Sequence, residues 1–278
     1  MHLCYMGKKF LPLENASLPV TDLIIQRGVG VFDSIATHNR RPIRLTAHLE
    51  RLERSALESG IRPPLTIEEM RSLALEGIDK MEMEYEVVIK PYITGGDSFD
   101  HSTGSFPSPR FFMIFQSVKK PFPESYQKGV SLHPIDTERI MPHAKTINYM
   151  ISFTAQAEDL DSFEILYCPR GEITEASHSS FFLVRDGILV TAPLEKVLQG
   201  TTRELVMLLA RENGISLEER CPSLSEIPYS QEAFLTGSIK EILPVVKIGE
   251  QNIGTGKPGP VTRKLREIYL DNIHRWLE

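Results

Sequence analysis

A mixed α/β architecture of the α+β kind, split into two domains, is what this sequence predicts. Three observations carry the prediction. The chain has 278 residues, long for one core and suited to two at roughly 100–200 residues per domain. Runs rich in β-branched and aromatic residues are interspersed with runs of helical period. Two prolines in Lys119-Lys120-Pro121-Phe122-Pro123 interrupt the pattern, marking an interdomain linker at about 117–124 and domains of 1–120 and 121–278. Two domains invite a cleft.

In chain order, the stretch Thr46 to Ser59 sets Leu49, Leu52 and Ala56 on one helical stripe with Arg51 beside it. Thr66-Ile67-Glu68-Glu69 is a capping box, and Met70, Leu73, Ala74 and Ile78 continue it at helical spacing. Tyr85 to Thr94 and Phe111 to Gln116 read as strands. Residues 95–109 between them are too rich in Gly, Ser and Pro for regular structure and form a long loop. Beyond the linker, Phe163 to Cys168 and Ser180 to Val184 read as strands, and Arg185-Asp186-Gly187 turns a hairpin into Ile188-Leu189-Val190. Thr202 to Asn213 is a helix with Leu205, Leu208 and Leu209 on its stripe and Gly214 at its end. A last helix runs from about Pro260 to Trp276. There is no internal repeat.

Composition narrows the function. A net charge of −6 lacks the dense basic face that nucleic acid or an anionic membrane surface requires, so a small-molecule partner is expected. No stretch approaches a membrane span and the N-terminus does not resemble a secretory signal. Cys4, Cys168 and Cys221 are odd in number and scattered, which argues against a disulfide framework or a metal site and for a reducing, cytoplasmic location.

Three local features carry chemistry. Gln199-Gly200-Thr201-Thr202-Arg203 opens a helix with small and hydroxyl residues, which suits a phosphate at the positive helix end, although a plain N-cap reads the same way. Leu235-Thr236-Gly237-Ser238 follows a strand with the same chemistry and could converge on the same phosphate. Gly171 to Ser180 is a polar run between apolar strands, in which Glu175 is either a solvated loop residue or a buried carboxylate that needs a cationic partner.

Together with His143-Ala144-Lys145-Thr146-Ile147-Asn148-Tyr149, Asp186-Gly187, Glu241-Ile242 and Pro244, these segments resemble the class IV (fold-type IV) aminotransferases. The likeness extends through Arg27-Gly28-Val29-Gly30-Val31-Phe32-Asp33 and His48-Leu49-Glu50-Arg51-Leu52 and covers nearly the whole chain. That family includes branched-chain and D-amino-acid aminotransferases and aminodeoxychorismate lyase. The resemblance implies a small N-terminal α/β domain, a larger C-terminal β-barrel-like α/β domain, a site in the cleft between them, and a homodimer.

The resemblance also implies the cofactor, pyridoxal 5'-phosphate, and the residue roles. Lys145 would hold it as a Schiff base and then shuttle the substrate's Cα proton, since an amine displaced from an aldehyde is left as a base beside Cα. Glu175 would pair with the pyridine nitrogen and favour its cationic form. Arg51, Gly200, Thr201, Thr202, Thr236, Gly237 and Ser238 would form the phosphate cup, and Leu198 would pack on the ring. Phe32, Lys90 and Ile239 are the substrate-side candidates, and the apolar bias of Phe32, Ile89 and Ile239 favours branched-chain or other apolar amino acids, exchanged with a 2-oxo acid.

Departures from the family pattern leave the substrate open. Glu172 stands where branched-chain enzymes usually carry a tyrosine against the cofactor's phenolic oxygen, a role left unfilled or taken by Arg139. Lys90 replaces an arginine and cannot fork onto a carboxylate. The arginine and histidine that D-amino-acid enzymes use after this strand are not obvious, although His101 and Arg110 are near in sequence. The alternatives are a D-amino-acid aminotransferase and a lyase that eliminates pyruvate.

Overall fold

The computed structural model describes residues 2–81 and 86–278, so Tyr85, the expected start of a strand, lies outside the described residues. The chain forms two compact units, one of Met1–Lys119 with Ala144–Asn148 and Arg275–Glu278, the other of Lys120–His143 with Tyr149–His274. The first long segment ends at Lys119, and two short downstream segments group with it because its strands and helices supply their hydrogen-bond partners.

The first unit contains β1 (Leu3–Met6), β2 (Lys9–Pro12), α1 (Leu23–Arg27), β3 (Gly30–Phe32), β4 (Ile35–His38), β5 (Arg41–Pro42), α2 (Leu45–Glu58), α3 (Ile67–Lys80), β6 (Val87–Thr94) and β7 (Arg110–Ser117). The seven strands make one antiparallel sheet in the order β2-β1-β7-β6-β4-β5, with β3 also on β6. Leu45, Leu49, Leu52 and Ala56 of α2 and Met70, Ala74 and Ile78 of α3 form a core with Val87, Ile89, Ile93, Met113 and Phe115 of the sheet. Because side chains alternate along a strand, Lys90 and Tyr92 of β6 face the other way. There Tyr92 stacks between Phe32 and Phe112, with ring centroids 5.5 and 4.7 Å away.

Helix α2 is buried on a second stripe as well, and this one is polar: His48, Arg51 and Ser55, at i, i+3 and i+7. Its N-terminus has no local side-chain cap. The carboxylate of Glu278 takes that role, accepting from the Thr46 N–H at 3.2 Å and the Thr46 hydroxyl at 2.6 Å. Helix α3 opens with the expected capping box of Thr66 and Glu69.

The second unit contains α4 (Pro123–Lys128), β8 (Val130–Ile135), α5 (Met150–Gln156), β9 (Glu164–Tyr167), β10 (Glu175–Ala176), β11 (Ser179–Arg185), β12 (Ile188–Thr191), α6 (Thr201–Glu212), β13 (Leu217–Glu219), β14 (Glu232–Gly237), β15 (Glu241–Ile248), β16 (Gln251–Asn252) and α7 (Pro260–Asn272). Strands β8, β9, β10, β11, β14 and β15 close into a barrel, because β10 pairs with both β9 and β11. Pairs β8–β9 and β8–β15 are parallel, and the other pairs of the ring are antiparallel. Leu132, Leu166, Phe181, Leu183, Leu235 and Leu243 share one core cluster. Alternate residues face the other side, where Phe182 and Phe234 stack at 4.9 Å.

Local detail follows the chemistry of the residues. Asp186 and Gly187, with φ of 51° and 75°, make the hairpin turn between β11 and β12. Pro123 stands in the first turn of α4, so the expected linker ends in a helix. On α6, Leu205 and Leu209 are buried but Leu208 is exposed, a correction to the expected stripe. The buried face runs instead through Arg203, Val206, Met207 and Ala210. The last helix ends as α-helix at Asn272 and continues as a 3-10 turn to Trp276.

Candidate active site

In the first unit the chemistry gathers around the short segment 144–148. Thr146 bridges to Val31, the Phe32 N–H donates to the Lys145 carbonyl at 3.0 Å, and the Ile147 N–H donates to the Gly30 carbonyl at 3.2 Å. The segment thus runs as an added strand on β3. The Lys145 N–H donates to Ser55 Oγ at 3.0 Å, and Ser55 in turn donates to the Arg51 carbonyl at 2.8 Å. With its backbone held this way, the half-buried Lys145 sets its Nζ 5.0 Å from the centre of the Phe32 ring.

Arg51 is fixed from the side. Its Nε donates to Asp33 Oδ2 at 2.8 Å and one Nη donates to Oδ1 at 2.7 Å, a bidentate grip. His48 Nδ1 lies 2.8 Å from the same Oδ1. Burial alone would raise the Asp33 carboxyl, but the Arg51 guanidinium and His48 hold it well below the usual carboxylate range. Burial pushes His48 the other way, below its ordinary value, in spite of Asp33. The pair is therefore a carboxylate facing a neutral imidazole, and since a carboxylate only accepts, Nδ1 carries the proton.

In the second unit Glu175 is 3% exposed, which excludes the solvated-loop reading. Its Oε1 accepts from Arg139 at 2.9 Å and its Oε2 from the Leu198 N–H at 3.3 Å. Burial works against the Arg139 charge, yet Glu175 together with Tyr149 and Tyr167 more than offsets it and raises its pKa. The β register aligns Glu175 with Ser180 and Ser180 with Thr236, so one row of polar side chains crosses three strands. Nearby, Tyr149 stacks on His178 with centroids 4.9 Å apart.

The two turns expected to hold phosphate are built for an anion. Gly200 is the N-cap of α6 and brings no side-chain cap, so the first-turn N–H groups depend on acceptors from outside the helix. A Cβ at Gly200 would come within 2.6 Å of Ser180 Oγ and 3.1 Å of Arg203 Cβ, so a side chain there would force its neighbours to shift. Thr201 and Thr202 are buried, and Thr236, 2% exposed, has a hydroxyl with no hydrogen-bond partner. A buried hydroxyl without a partner is costly unless a ligand completes it. Beside it, buried Glu164 contacts Lys240 and accepts from the His178 N–H and Ser179 Oγ, which fixes the turn carrying Gly237, Ser238 and Ile239. These donors fit a phosphate.

The residues expected from the sequence therefore fall into two sets, Phe32, Arg51, Lys90 and Lys145 in the first unit and Glu175, Leu198, Gly200–Thr202 and Thr236–Ile239 in the second. Asp33, Ser55, Tyr149, His178 and Ser180 had no expected role. The spacing of His48, Arg51 and Ser55 along α2 could have revealed a polar stripe, but no sequence signal ties Asp33 to Arg51. Arg110 is committed elsewhere, donating to Asp22 at 2.7 Å and contacting Asp97. Glu172 is exposed at its side chain and pairs with Lys196 at 2.5 Å.

A D-alanine aminotransferase of Bacillus licheniformis is 27% identical over 98% of this chain and 97% of its own. The crystal structure of a branched-chain aminotransferase from Thermoproteus uzoniensis with norvaline superposes with a TM-score of 0.87 at 26% identity, covering 99% of this chain and 98% of that one. An aminotransferase from Brucella abortus bound to the cofactor PLP gives 0.85 at 25% identity, covering 98% and 99%. Among the described residues, no helix is long and apolar enough to cross a membrane. The profile of the amino-transferase class IV family matches residues 30–248, and the chain belongs to that family of pyridoxal-phosphate-dependent transaminases.

Proposed function

We propose that this enzyme moves the amino group of a branched-chain or other apolar amino acid to a 2-oxo acid, with Lys145 as the catalytic amine. The observation that carries this reading is the fixation of Lys145: its backbone N–H is held by Ser55 and its carbonyl by Phe32, so only the side chain is left to move. Pyridoxal phosphate, when bound, supplies an aldehyde that condenses with amines and a ring that delocalises the electron pair left at Cα. Lys145 would be the base that takes the substrate's Cα proton and the acid that gives it back on the far side of the amino nitrogen. Glu175 would face the ring nitrogen and favour its cationic form, and Arg139 orients the Glu175 carboxylate.

Arg51, the Gly200–Thr202 turn, Thr236, Gly237 and Ser238 would hold the phosphate, and Leu198 would pack on the ring. The partnerless Thr236 hydroxyl supports this assignment. Phe32 and Ile239 offer apolar contact to the substrate. Lys90 is half-buried, and its ammonium has no carboxylate partner among the described residues, which supports a role in gripping a substrate carboxylate as a point charge.

A homodimer is supported by α5, which exposes Met150 and Phe153 at 74% and 69%, more apolar surface than a short helix retains without a partner. A cytoplasmic location is supported by Cys4, Cys168 and Cys221, all of them unpaired thiols.

The test is a donor screen with purified protein, L- and D-amino acids side by side, with 2-oxoglutarate as acceptor and glutamate as readout. Borohydride reduction of the holoenzyme followed by peptide mapping should put the label on Lys145. A label elsewhere would overturn the assignment of the amine. Pyruvate release from aminodeoxychorismate without glutamate from any donor would replace the transaminase reading by the lyase.

A further inference from the structure

We infer that Asp33 is a positioning residue for cofactor binding: it acts through Arg51, whose guanidinium it orients toward the phosphate. The inference rests on the phosphate role proposed for Arg51 above. Asp33 is 0% exposed and spends both oxygens on α2, accepting from Arg51 Nε at 2.8 Å and one Arg51 Nη at 2.7 Å, with His48 Nδ1 at 2.8 Å. The Ser34 N–H adds a fourth contact, at 2.6 Å. Its own backbone is pinned to β6 through an N–H bond to the Pro91 carbonyl at 3.0 Å.

The geometry separates orientation from charge. Asp33 takes Nε and one Nη of Arg51 with its two oxygens, which fixes the plane of the guanidinium. The grip also cancels much of the guanidinium's charge, because Asp33 is ionised and His48 neutral. An arginine whose only task was long-range attraction of an anion would be weakened by such a partner. An arginine that must present one edge in a fixed direction is served by it, since the planar fork loses its rotamer freedom before the ligand arrives. His48 completes the arrangement from one helical turn away by donating to the carboxylate without adding charge.

The experiment compares the affinities of the apo-enzyme for pyridoxal phosphate and for pyridoxal, which lacks the phosphate, in native protein, Asp33→Asn, Arg51→Met and the double variant. Asparagine offers one acceptor oxygen, so the bidentate grip is lost with little change in volume. Asp33→Asn should weaken pyridoxal phosphate roughly ten- to hundredfold while shifting pyridoxal less than about threefold, the range expected for coupled neighbours. In the Arg51→Met background the Asp33→Asn change should add nothing to the phosphate-dependent difference. This comparison stands even if Asp33→Asn alone fails to fold, because the double variant removes both buried charges. Equal weakening of both ligands, or a further phosphate-dependent loss in the Arg51→Met background, would overturn the inference. Native protein that binds no pyridoxal phosphate would instead refute the function on which it rests.

Discussion

Replacing Thr236 by valine should strengthen the apo-protein and weaken its hold on cofactor, two effects of opposite sign from one hydroxyl. The side chain is 2% exposed and its Oγ1 has no hydrogen-bond partner. Leaving such a group buried and unsatisfied costs about 1–3 kcal/mol, and valine removes the group while keeping the branched shape. The apo-protein should gain about 1 kcal/mol, roughly 2–4 °C in Tm for a unit of this size. If the hydroxyl donates to a phosphate oxygen, the bond lost is charge-assisted, about 1.5–3 kcal/mol, so the dissociation constant for pyridoxal phosphate should rise roughly ten- to hundredfold. Thermal unfolding of rigorously cofactor-free protein and a fluorescence titration read the two effects separately. A valine variant whose apo-form melts several degrees lower, or whose cofactor affinity stays within twofold of native, would show that the hydroxyl serves neither purpose.

Other expectations follow from the same geometry. Glu175→Gln removes the anion facing the largely buried Arg139, and should cost about 3 kcal/mol in urea unfolding of the apo-protein as well as roughly a hundredfold in kcat; an unchanged denaturation midpoint would mean that the pair is not formed in solution. Ser55→Ala removes the acceptor of the Lys145 N–H and the donor to the Arg51 carbonyl, so kcat should fall more than KM rises, with about 1–2 kcal/mol of stability lost. Acid should destabilise the first unit in two stages. His48 is held below its ordinary 6.5, so the unfolded chain takes up the proton first and stability falls as pH drops below that value, by up to about 1.4 kcal/mol per pH unit. Asp33 has a depressed folded pKa, so its contribution is present above the ordinary carboxylate range and is lost as pH falls through and below that range. His48→Gln should abolish the first stage alone, which hydrogen exchange of α2 against pH would register.

The elements that could be read from the sequence were those whose signal is local. Helix α3 announces itself by Thr66 and Glu69, and the hairpin of β11 and β12 by Asp186-Gly187. Strands β1, β2, β8 and β16 escaped notice because they are short or, in β8, contain Pro134, and their pairing partners lie far away in sequence. Helix α5 escaped because its apolar residues face outward, so no core-facing stripe exists to be found. Closure of the barrel depends on a strand of only two residues, Glu175–Ala176, which no periodicity can expose. Lys145, Glu175 and the two small-residue turns were legible through a family pattern of residue types at fixed spacing. The surroundings that give them their properties were not, since Arg139 approaches Glu175 from 36 positions upstream and Asp33 meets Arg51 across 18. Such contacts are made by tertiary structure and leave no trace in local composition.

The cap on α2 is drawn from 232 positions downstream, where Glu278 meets Thr46. During synthesis the helix that carries His48, Arg51 and Ser55 must therefore wait, its positive end unneutralised, while the second unit is being translated. A fragment of residues 2–119 would lack both this carboxylate and the strand bearing Lys145, and should be isolated as a loosened, protease-sensitive species rather than as an autonomous domain. The order in which the ribosome delivers this protein is thus opposite to the order helix α2 needs, and refolding from denaturant, where all segments are present at once, should complete α2 sooner than translation does.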